Sequence, residues 1–191
     1  MRIVTFDIET ANWMSDIGTS DPADLTIALV CIHDSETNSY DCFLEPELPR
    51  LWKELEHADL LVGYNSDHFD IPLLNKYYPG DLTRIRSLDL MKEVQNVVGR
   101  RLRLDAIADG TLGKKKSGDG AQSIKWWRAG EVDKVRKYCL KDVEITKGIF
   151  DYALKNGSVK YRELGRLREV KLDTSKWLGG GKSPLTYTMG F

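Results

Sequence analysis

The amino-acid sequence predicts an α/β fold with a mixed β-sheet. Residues from Arg2 to Thr10 alternate between two faces, as in a β-strand whose sides have different environments. A near-continuous apolar segment from Leu25 to His33 is joined by a polar turn to Ser39–Leu44, so the first three strands form an antiparallel meander. From residue 46 onward, segments with helical spacing alternate with a short apolar strand, which is typical of parallel pairing through helical crossovers.

The spacing of apolar residues also predicts the later elements. Leu48, Leu51 and Leu55 lie on one face of a helix. Asp70-Ile71-Pro72 has the composition of a helix start, and Asn156-Gly157 that of a helix end. We therefore expect a helix over 46–57, a strand over 60–64, a helix from Asp70, helices over 88–98 and 102–109 (the latter ending at Gly110), and a long helix over 131–156.

The composition is that of a globular domain. The chain has 191 residues, of which 41% are hydrophobic and 30% are charged, and its longest apolar run, Ile27 to Ile32, is too short to cross a bilayer. We expect one domain over residues 1–155 and a C-terminal tail over 156–191 that packs on it. Three cysteines, an odd number without a C-x-x-C pair, indicate neither a disulfide framework nor a structural zinc site, which favours a reducing, cytoplasmic location.

Charge is unevenly distributed along the chain. Residues 1–83 contain 4 Lys/Arg and 16 Asp/Glu, residues 84–128 contain 11 and 5, and residues 129–191 contain 13 and 8. This asymmetry is compatible with a site that binds cations together with a polyanion, although solvated surface charge would also produce it. Basic and aromatic residues that are candidates for nucleic-acid contacts are Arg84, Arg86, Arg100, Arg101, Arg103, Lys114–Lys116, Lys125, Trp126, Trp127 and Arg128.

Four acidic residues fall where burial of a carboxylate is expected. Asp7 and Glu9 share one face of the first strand, and Asp142 lies on the apolar face of the long helix, one turn after Tyr138. Asp70 follows a buried strand, at the edge where open α/β sheets place their sites. Alternative interpretations are a solvated edge strand for the first pair, a helix N-cap for Asp70 and a buried salt bridge to an arginine for Asp142.

Together, the four carboxylates indicate a site for divalent cations. If they converge on one pocket, their mutual repulsion raises their pKa values unless cations neutralise them. Oxygen ligands alone select Mg²⁺ or Mn²⁺. Because two such ions can stabilise the attacking and leaving oxygens of a phosphoryl displacement, phosphodiester hydrolysis is the expected chemistry.

Three short segments carry a family resemblance. Phe6-Asp7-Ile8-Glu9-Thr10, Asn65-x3-Phe69-Asp70 and Tyr138-x3-Asp142 resemble, in this order, the three motifs of the DEDD 3′-5′ exonucleases, and the tyrosine marks one subgroup. Ser87-Leu88-Asp89-Leu90 and the segment 102–113 resemble the exonuclease domains of family B DNA polymerases and their stand-alone relatives. The resemblance extends to about residue 152 and implies that the mixed sheet is ribonuclease-H-like.

The resemblance implies a role for each motif residue. Asp7 would bridge two metal ions, Glu9 and Asp142 would complete the site of the ion that binds the catalytic water, and Asp70 would hold the second ion. Tyr138 would orient the water, because an unperturbed tyrosine pKa of about 10 makes a poor base at neutral pH. The family's pocket for the 3′-terminal nucleotide corresponds here to Ile8, Thr10, Asn65 and Phe69.

The expected activity is a 3′-5′ exonuclease that acts on single-stranded DNA, uses two Mg²⁺ or Mn²⁺ ions and releases nucleoside 5′-monophosphates. DNA is favoured over RNA only by the resemblance to the polymerase domains. A polymerase or another replication or repair partner cannot be identified from the sequence. The alternatives are an exoribonuclease with the same site and a non-catalytic nucleic-acid-binding module that retains the fold.

Overall fold

A mixed five-stranded sheet forms the centre of the protein, for which the computed structural model describes residues 1–114 and 120–179. Its strands are β1 (Ile3–Thr10), β2 (Ile27–Asp34), β3 (Ser39–Leu44), β4 (Leu60–Gly63) and β5 (Ser87–Asp89). Their order is β3-β2-β1-β4-β5. The pairs β1–β2 and β2–β3 are antiparallel, whereas β1–β4 and β4–β5 are parallel. The predicted α/β class and the antiparallel meander are confirmed.

Helices cover both faces of this sheet. In the described residues they are α1 (Met14–Ile17), α2 (Leu48–Glu56), α3 (Asp70–Tyr77), α4 (Leu90–Val98), α5 (Leu104–Leu112), α6 (Gly120–Arg128) and α7 (Val132–Asn156). Sequence analysis missed α1, β5 and α6. With four and three residues, α1 and β5 are too short to show periodicity. Helix α6 has nine residues, and its basic and aromatic residues were interpreted as candidate nucleic-acid contacts. None of the helices in these two ranges has the length and apolar character needed to span a membrane.

The end of α5 corrects a prediction. Gly110 does not end the helix, which continues to Leu112 and is capped by Gly113 in the left-handed conformation (φ 65°). Gly110 instead allows close packing against the next strand in the chain, because a Cβ atom there would lie 2.4 Å from both the carbonyl oxygen of Lys160 and the Cα of Tyr161. A helix end and a close backbone approach both require glycine, so the local sequence does not distinguish them.

The sheet separates two apolar cores. Val4, Phe6 and Ile8 of β1 pack on the side covered by α2 and α3. Leu60 and Val62 of β4 pack on the opposite side, which is covered by α5 and α7. Successive residues of a strand point to opposite faces, so Asp7 and Glu9 face α7. The strand and helix that carry the predicted carboxylates are therefore in direct contact.

A hairpin follows α7, in a segment where the sequence showed no clear period. It consists of β6 (Ser158–Glu163) and β7 (Arg166–Lys171), and β6 packs against α5 and α7. After the hairpin, the buried Trp177 stacks on Phe150, with ring centroids 5.9 Å apart, and its indole N–H donates to Glu93 of α4 at 3.1 Å. The described part of the tail thus contacts the rest of the chain, whereas residues 180–191 lie outside the described residues. The division at residues 155 and 156 stays a prediction.

A disulfide joins Cys31 of β2 to Cys42 of β3. The two residues are directly opposite each other in the meander, although they are 11 residues apart in sequence. The expectation that the cysteines form no disulfide is therefore wrong, because only strand pairing brings these two together. The correction also removes the observation on which the expected reducing location depended. Cys139 is a buried free thiol.

Gly110→Ala should destabilise the protein by about 1–3 kcal/mol, the usual effect of forcing a group into a packed interior. The new Cβ would meet backbone atoms of β6 at 2.4 Å, and these cannot move as a side chain can. Gly148→Ala in α7 is the matched control, because its Cβ would meet only the Leu112 side chain, at 3.0 Å. Both changes gain similar helix propensity. Denaturant unfolding that shows equal stability for the two variants would contradict the packing role of Gly110.

Candidate active site

Asp7 and Glu9 lie in the half of β1 that extends beyond its parallel neighbour. Glu9 is buried and Asp7 is half-buried. On one side β1 pairs with β2 along its length, but on the other side β4 pairs only with Ile3–Thr5. After Thr5, the backbone N–H groups of β1 on this side therefore have no strand partner. A buried N–H group requires an acceptor, which a side chain from the turn after β4 can supply.

Asp70 provides that acceptor. It is the first residue of α3, and its buried carboxylate accepts a hydrogen bond from the backbone N–H of Ile8, between Asp7 and Glu9. Burial, and to a smaller extent the negative charge of Asp89, raises the pKa of Asp70 to about 7. The alternative interpretation of Asp70 as an N-cap is not supported, because Phe69 occupies the N-cap position of α3.

Asp89, at the end of β5, organises the turn between β4 and α3. Its carboxylate accepts hydrogen bonds from the backbone N–H groups of Asn65 (2.8 Å) and Asp67 (3.2 Å), and it caps α4 through the N–H groups of Met91 and Lys92. Desolvation raises the pKa of Asp89 despite these bonds. From the sequence, Asp89 was noted only within a segment that resembles the exonuclease domains of family B DNA polymerases. Its role in this turn was not predicted, because that role depends on the parallel pairing of β4 and β5.

The long helix α7 places Tyr138 and Asp142 over β1, as their spacing predicted. Both side chains are buried, together with Val135, Ile145 and Ile149 on the same face. Tyr138 and Asp142 line one cavity of about 500 Å³ together with Asp7 and Glu9. Two segments separated by more than 120 residues of sequence therefore contribute to one site.

Three of the four residues expected to hold the 3′-terminal nucleotide line this same cavity, namely Ile8, Thr10 and Phe69. Asn65 is placed differently: it lines a second cavity of about 330 Å³. The backbone of Asn65 has a positive φ of 67° and starts the turn that leads to Phe69, whose N–H donates to the Asn65 carbonyl. The wall of the first cavity is otherwise largely apolar and includes Trp13, Met14, Leu25 and Ile124.

Helix α6, which was not predicted from the sequence, covers one side of this cavity and contributes Ile124 to its lining. The buried Ser123 hydroxyl donates to the Glu9 carboxylate at 2.5 Å. The ring of Trp126 meets that of Tyr138 edge-on, with centroids 6.0 Å apart. Arg128 lies 4.2 Å from the centre of the Trp13 ring and pairs with Asp16 of α1. Basic and aromatic residues in this segment were candidates for nucleic-acid contacts, and of these Lys115 and Lys116 lie outside the described residues.

The donors around Asp7 fit a hard divalent cation. Asp7, Glu9 and Cys139 offer ligand atoms that all lie within 4.8 Å of one another. The Cys139 thiol donates to the carbonyl oxygen of Asp7 (3.3 Å) and to its carboxylate (3.5 Å), and burial raises the pKa of the thiol well above its ordinary value. Sulfur is a soft ligand that favours zinc, copper or iron–sulfur sites over Mg²⁺ and Mn²⁺. The carboxylate oxygens of this cluster, which Mg²⁺ and Mn²⁺ prefer, are therefore the candidate donors.

Two comparisons with known proteins concern the domain and its fold. A family model described as RNase_H superfamily matches residues 4–154. Among solved structures, the fold is similar to that of the family B DNA polymerase from the hyperthermophilic archaeon Pyrobaculum calidifontis, with a TM-score of 0.60 and 22% sequence identity over 81% of this chain and 24% of the polymerase. The chain therefore spans about a quarter of the polymerase's length, and the similarity concerns the fold. No curated protein matches the sequence.

Asp70→Asn should remove a pH-dependent destabilisation of the protein in EDTA. The pKa of this carboxyl rises from 3.8 to about 7 on folding, so its ionisation opposes folding increasingly as the pH rises between these values. The free energy of unfolding of the parent, relative to that of Asp70→Asn, should fall across this interval and be constant above it. Chemical denaturation measured at a series of pH values tests this.

The matched control for that measurement is Glu45→Gln, which changes an exposed carboxylate to an amide. Its free energy of unfolding relative to the parent should change little over the same pH interval. If the Asp70 difference also stayed constant with pH, the buried carboxyl would not be the source of the effect.

Proposed function

Because this chain belongs to the RNase H superfamily, we propose that it is a metal-dependent 3′-5′ exonuclease that hydrolyses single-stranded DNA to nucleoside 5′-monophosphates. The observation that carries the proposal is the cavity shared by Asp7, Glu9, Tyr138 and Asp142, with Asp70 bonded to β1 beside it. These residues also carry the resemblance to the DEDD exonucleases. The fold similarity to a family B DNA polymerase supports the same assignment.

Four carboxylates would hold the metal ions. Asp7, Glu9 and Asp142 supply oxygen donors from within the cavity, and Asp70 supplies them from the adjacent edge of β1. When bound, two Mg²⁺ or Mn²⁺ ions would acidify the attacking water and stabilise the charge on the scissile phosphate. The chain's own contribution is to hold these carboxylates in place, and the hydrogen bond from Ser123 restricts Glu9 to one orientation.

Tyr138 is proposed to orient the attacking water. Its ring is held between α7 and α6 by the edge-on contact with Trp126, which leaves the aromatic group little freedom to rotate. A tyrosine hydroxyl removes a proton inefficiently at neutral pH, so positioning is the role that its chemistry supports.

The apolar part of the cavity would hold the terminal nucleotide. Phe69 and Trp13 offer aromatic surface for stacking of a base, and such stacking tolerates any sequence. Arg128, stacked on Trp13 and paired with Asp16, links α6 to α1. A base-paired end would have to separate before one nucleotide could enter, which supports the preference for single strands.

A time course with a 5′-labelled single-stranded DNA tests this proposal. With Mn²⁺, the parent should shorten the strand stepwise from the 3′ end, and EDTA should stop the reaction. Asp7→Asn should lower the rate more than about 10²-fold, because loss of a metal ligand should exceed the usual effect of losing an outer-shell partner. Mn²⁺ should also raise the melting temperature of the parent but not that of Asp7→Asn.

Asp133→Asn, which changes an exposed carboxylate at the start of α7, is the control and should keep full activity. A matched RNA strand is included, because a hydroxyl-specific contact would favour RNA. If RNA were cleaved faster than DNA, the proposed substrate would be RNA. If the protein incubated with Mn²⁺ cleaved neither the labelled DNA nor the labelled RNA, but still shifted either strand on a gel, it would be a non-catalytic binding module.

Tyr138→Phe should lower kcat by about 10²-fold and change KM little, because a positioning hydroxyl acts in the transition state. Tyr152→Phe is the control on the same helix and should behave like the parent. Steady-state kinetics on the labelled strand gives both constants. A rise in KM with unchanged kcat would show that Tyr138 binds substrate and does not orient water.

A further inference from the structure

The second cavity, of about 330 Å³, combines an apolar floor with a basic rim. Met91 and Leu102 are buried in its floor. The side chains of Arg101 and Arg103 are exposed at its rim. This combination matches a single nucleic-acid strand, whose bases pack against apolar surface and whose phosphates are anionic. We call this cavity the arginine groove.

The arginine groove is adjacent to the candidate active site. Phe69 lines the first cavity and Asn65 lines the groove, and the backbone N–H of Phe69 donates to the carbonyl of Asn65 at 3.0 Å. Both cavities lie where β1, β4 and β5 end, because parallel strands have their carboxyl ends at the same edge of a sheet. A strand whose last nucleotide occupies the first cavity can therefore continue into the groove.

Hydrogen bonds hold the groove in shape. The Tyr64 hydroxyl donates to the carbonyl of Leu102 at 2.8 Å and ties the segment before α5 to the end of β4. On the opposite wall, the Asp89 carboxylate binds the N–H groups of both Asn65 and Met91. A groove that is already formed loses less entropy when a ligand binds.

Two polar groups at the groove have bonding capacity that the described chain does not use. Within residues 1–114 and 120–179, the Arg101 guanidinium forms no ion pair or hydrogen bond, whereas Arg103 lies 3.5 Å from Asp105. The side-chain oxygen of Asn65 is buried and accepts no hydrogen bond from that part of the chain. A phosphate would pair with the Arg101 guanidinium. The Asn65 oxygen lies below the accessible surface, so the contact with a strand is assigned to Arg101 alone.

We propose that the arginine groove binds the nucleotides immediately upstream of the 3′-terminal one, with Arg101 contacting their phosphate backbone. The occupant is single-stranded DNA, the substrate of the proposed function, on which this inference rests. The groove thereby holds the strand while its last nucleotide is cleaved. Arg101 contributes to binding of long substrates and takes no part in the chemical step.

Two substrates separate the groove from the catalytic site. One is a single-stranded oligonucleotide that extends past both cavities, and the other is the p-nitrophenyl ester of thymidine 5′-monophosphate, which has no upstream nucleotide. Arg101→Glu should raise KM for the oligonucleotide about tenfold and leave hydrolysis of the ester unchanged. Oligonucleotide binding weakens as salt rises, and the slope of log affinity against log salt measures this dependence. For Arg101→Ala the magnitude of this slope should be smaller by about 0.7 than for the parent.

Arg50→Glu is the matched control, because it makes the same charge change at an exposed arginine of α2, beside β3 and away from the groove. It should leave both substrates unaffected. Equal KM values for Arg101→Glu and Arg50→Glu on the oligonucleotide would overturn the proposal. A parallel loss of ester hydrolysis in Arg101→Glu would also overturn it, since the residue would then act on the catalytic site.

Fluorescence anisotropy with a labelled DNA strand in EDTA tests the groove without catalysis. Here Arg101→Glu should bind about tenfold more weakly than both the parent and Arg50→Glu. If the parent cleaves neither substrate, the proposed exonuclease activity fails, and this binding difference still decides whether the groove holds DNA. Unchanged binding in Arg101→Glu would overturn the groove whatever the activity.

Discussion

Burial of several carboxylates at the end of β1 is the constraint on which the rest of the structure depends. Glu9, Asp70 and Asp142 are each no more than 6% exposed. Burial, and to a smaller extent the negative charge of Asp89, raises the pKa of Asp70. Neighbouring donors hold the acids in place: Ser123 bonds to Glu9, and the Ile8 N–H bonds to Asp70. Hard divalent cations would relieve the remaining repulsion, so this arrangement favours binding of metal ions.

The sheet topology explains how residues from distant segments reach this place. Because β4 pairs only with the first part of β1, the second part of β1 is open to the turn that leads into α3. The parallel strands β4 and β5 end at the same edge, which places Asp89 beneath that turn and Asp70 against β1. The same edge carries the arginine groove. The candidate catalytic site and the proposed path of the strand are therefore consequences of one topological feature.

Residues with a strong local pattern were predicted well. Asp7 and Glu9 were assigned to one strand face by alternation, and Tyr138 and Asp142 to one helix face by their spacing, and the structure has both arrangements. Helix α6, which covers one side of the cavity, was not predicted, although its basic and aromatic residues were noted as candidate nucleic-acid contacts. Ser123 has no local signal, since its role is a hydrogen bond to a residue 114 positions away.

By itself, the sequence determined the faces of its strands and helices, the α/β class and the positions of the motif carboxylates, because periodicities of 2.0 and 3.6 residues are local properties of the chain. The tertiary structure decided which faces meet. In the structure, Cys31 is paired with Cys42, and Gly110, expected to end a helix, packs against β6. Asn65, expected in the first cavity, lines the arginine groove. These outcomes depend on contacts between segments distant in sequence, which no local pattern contains.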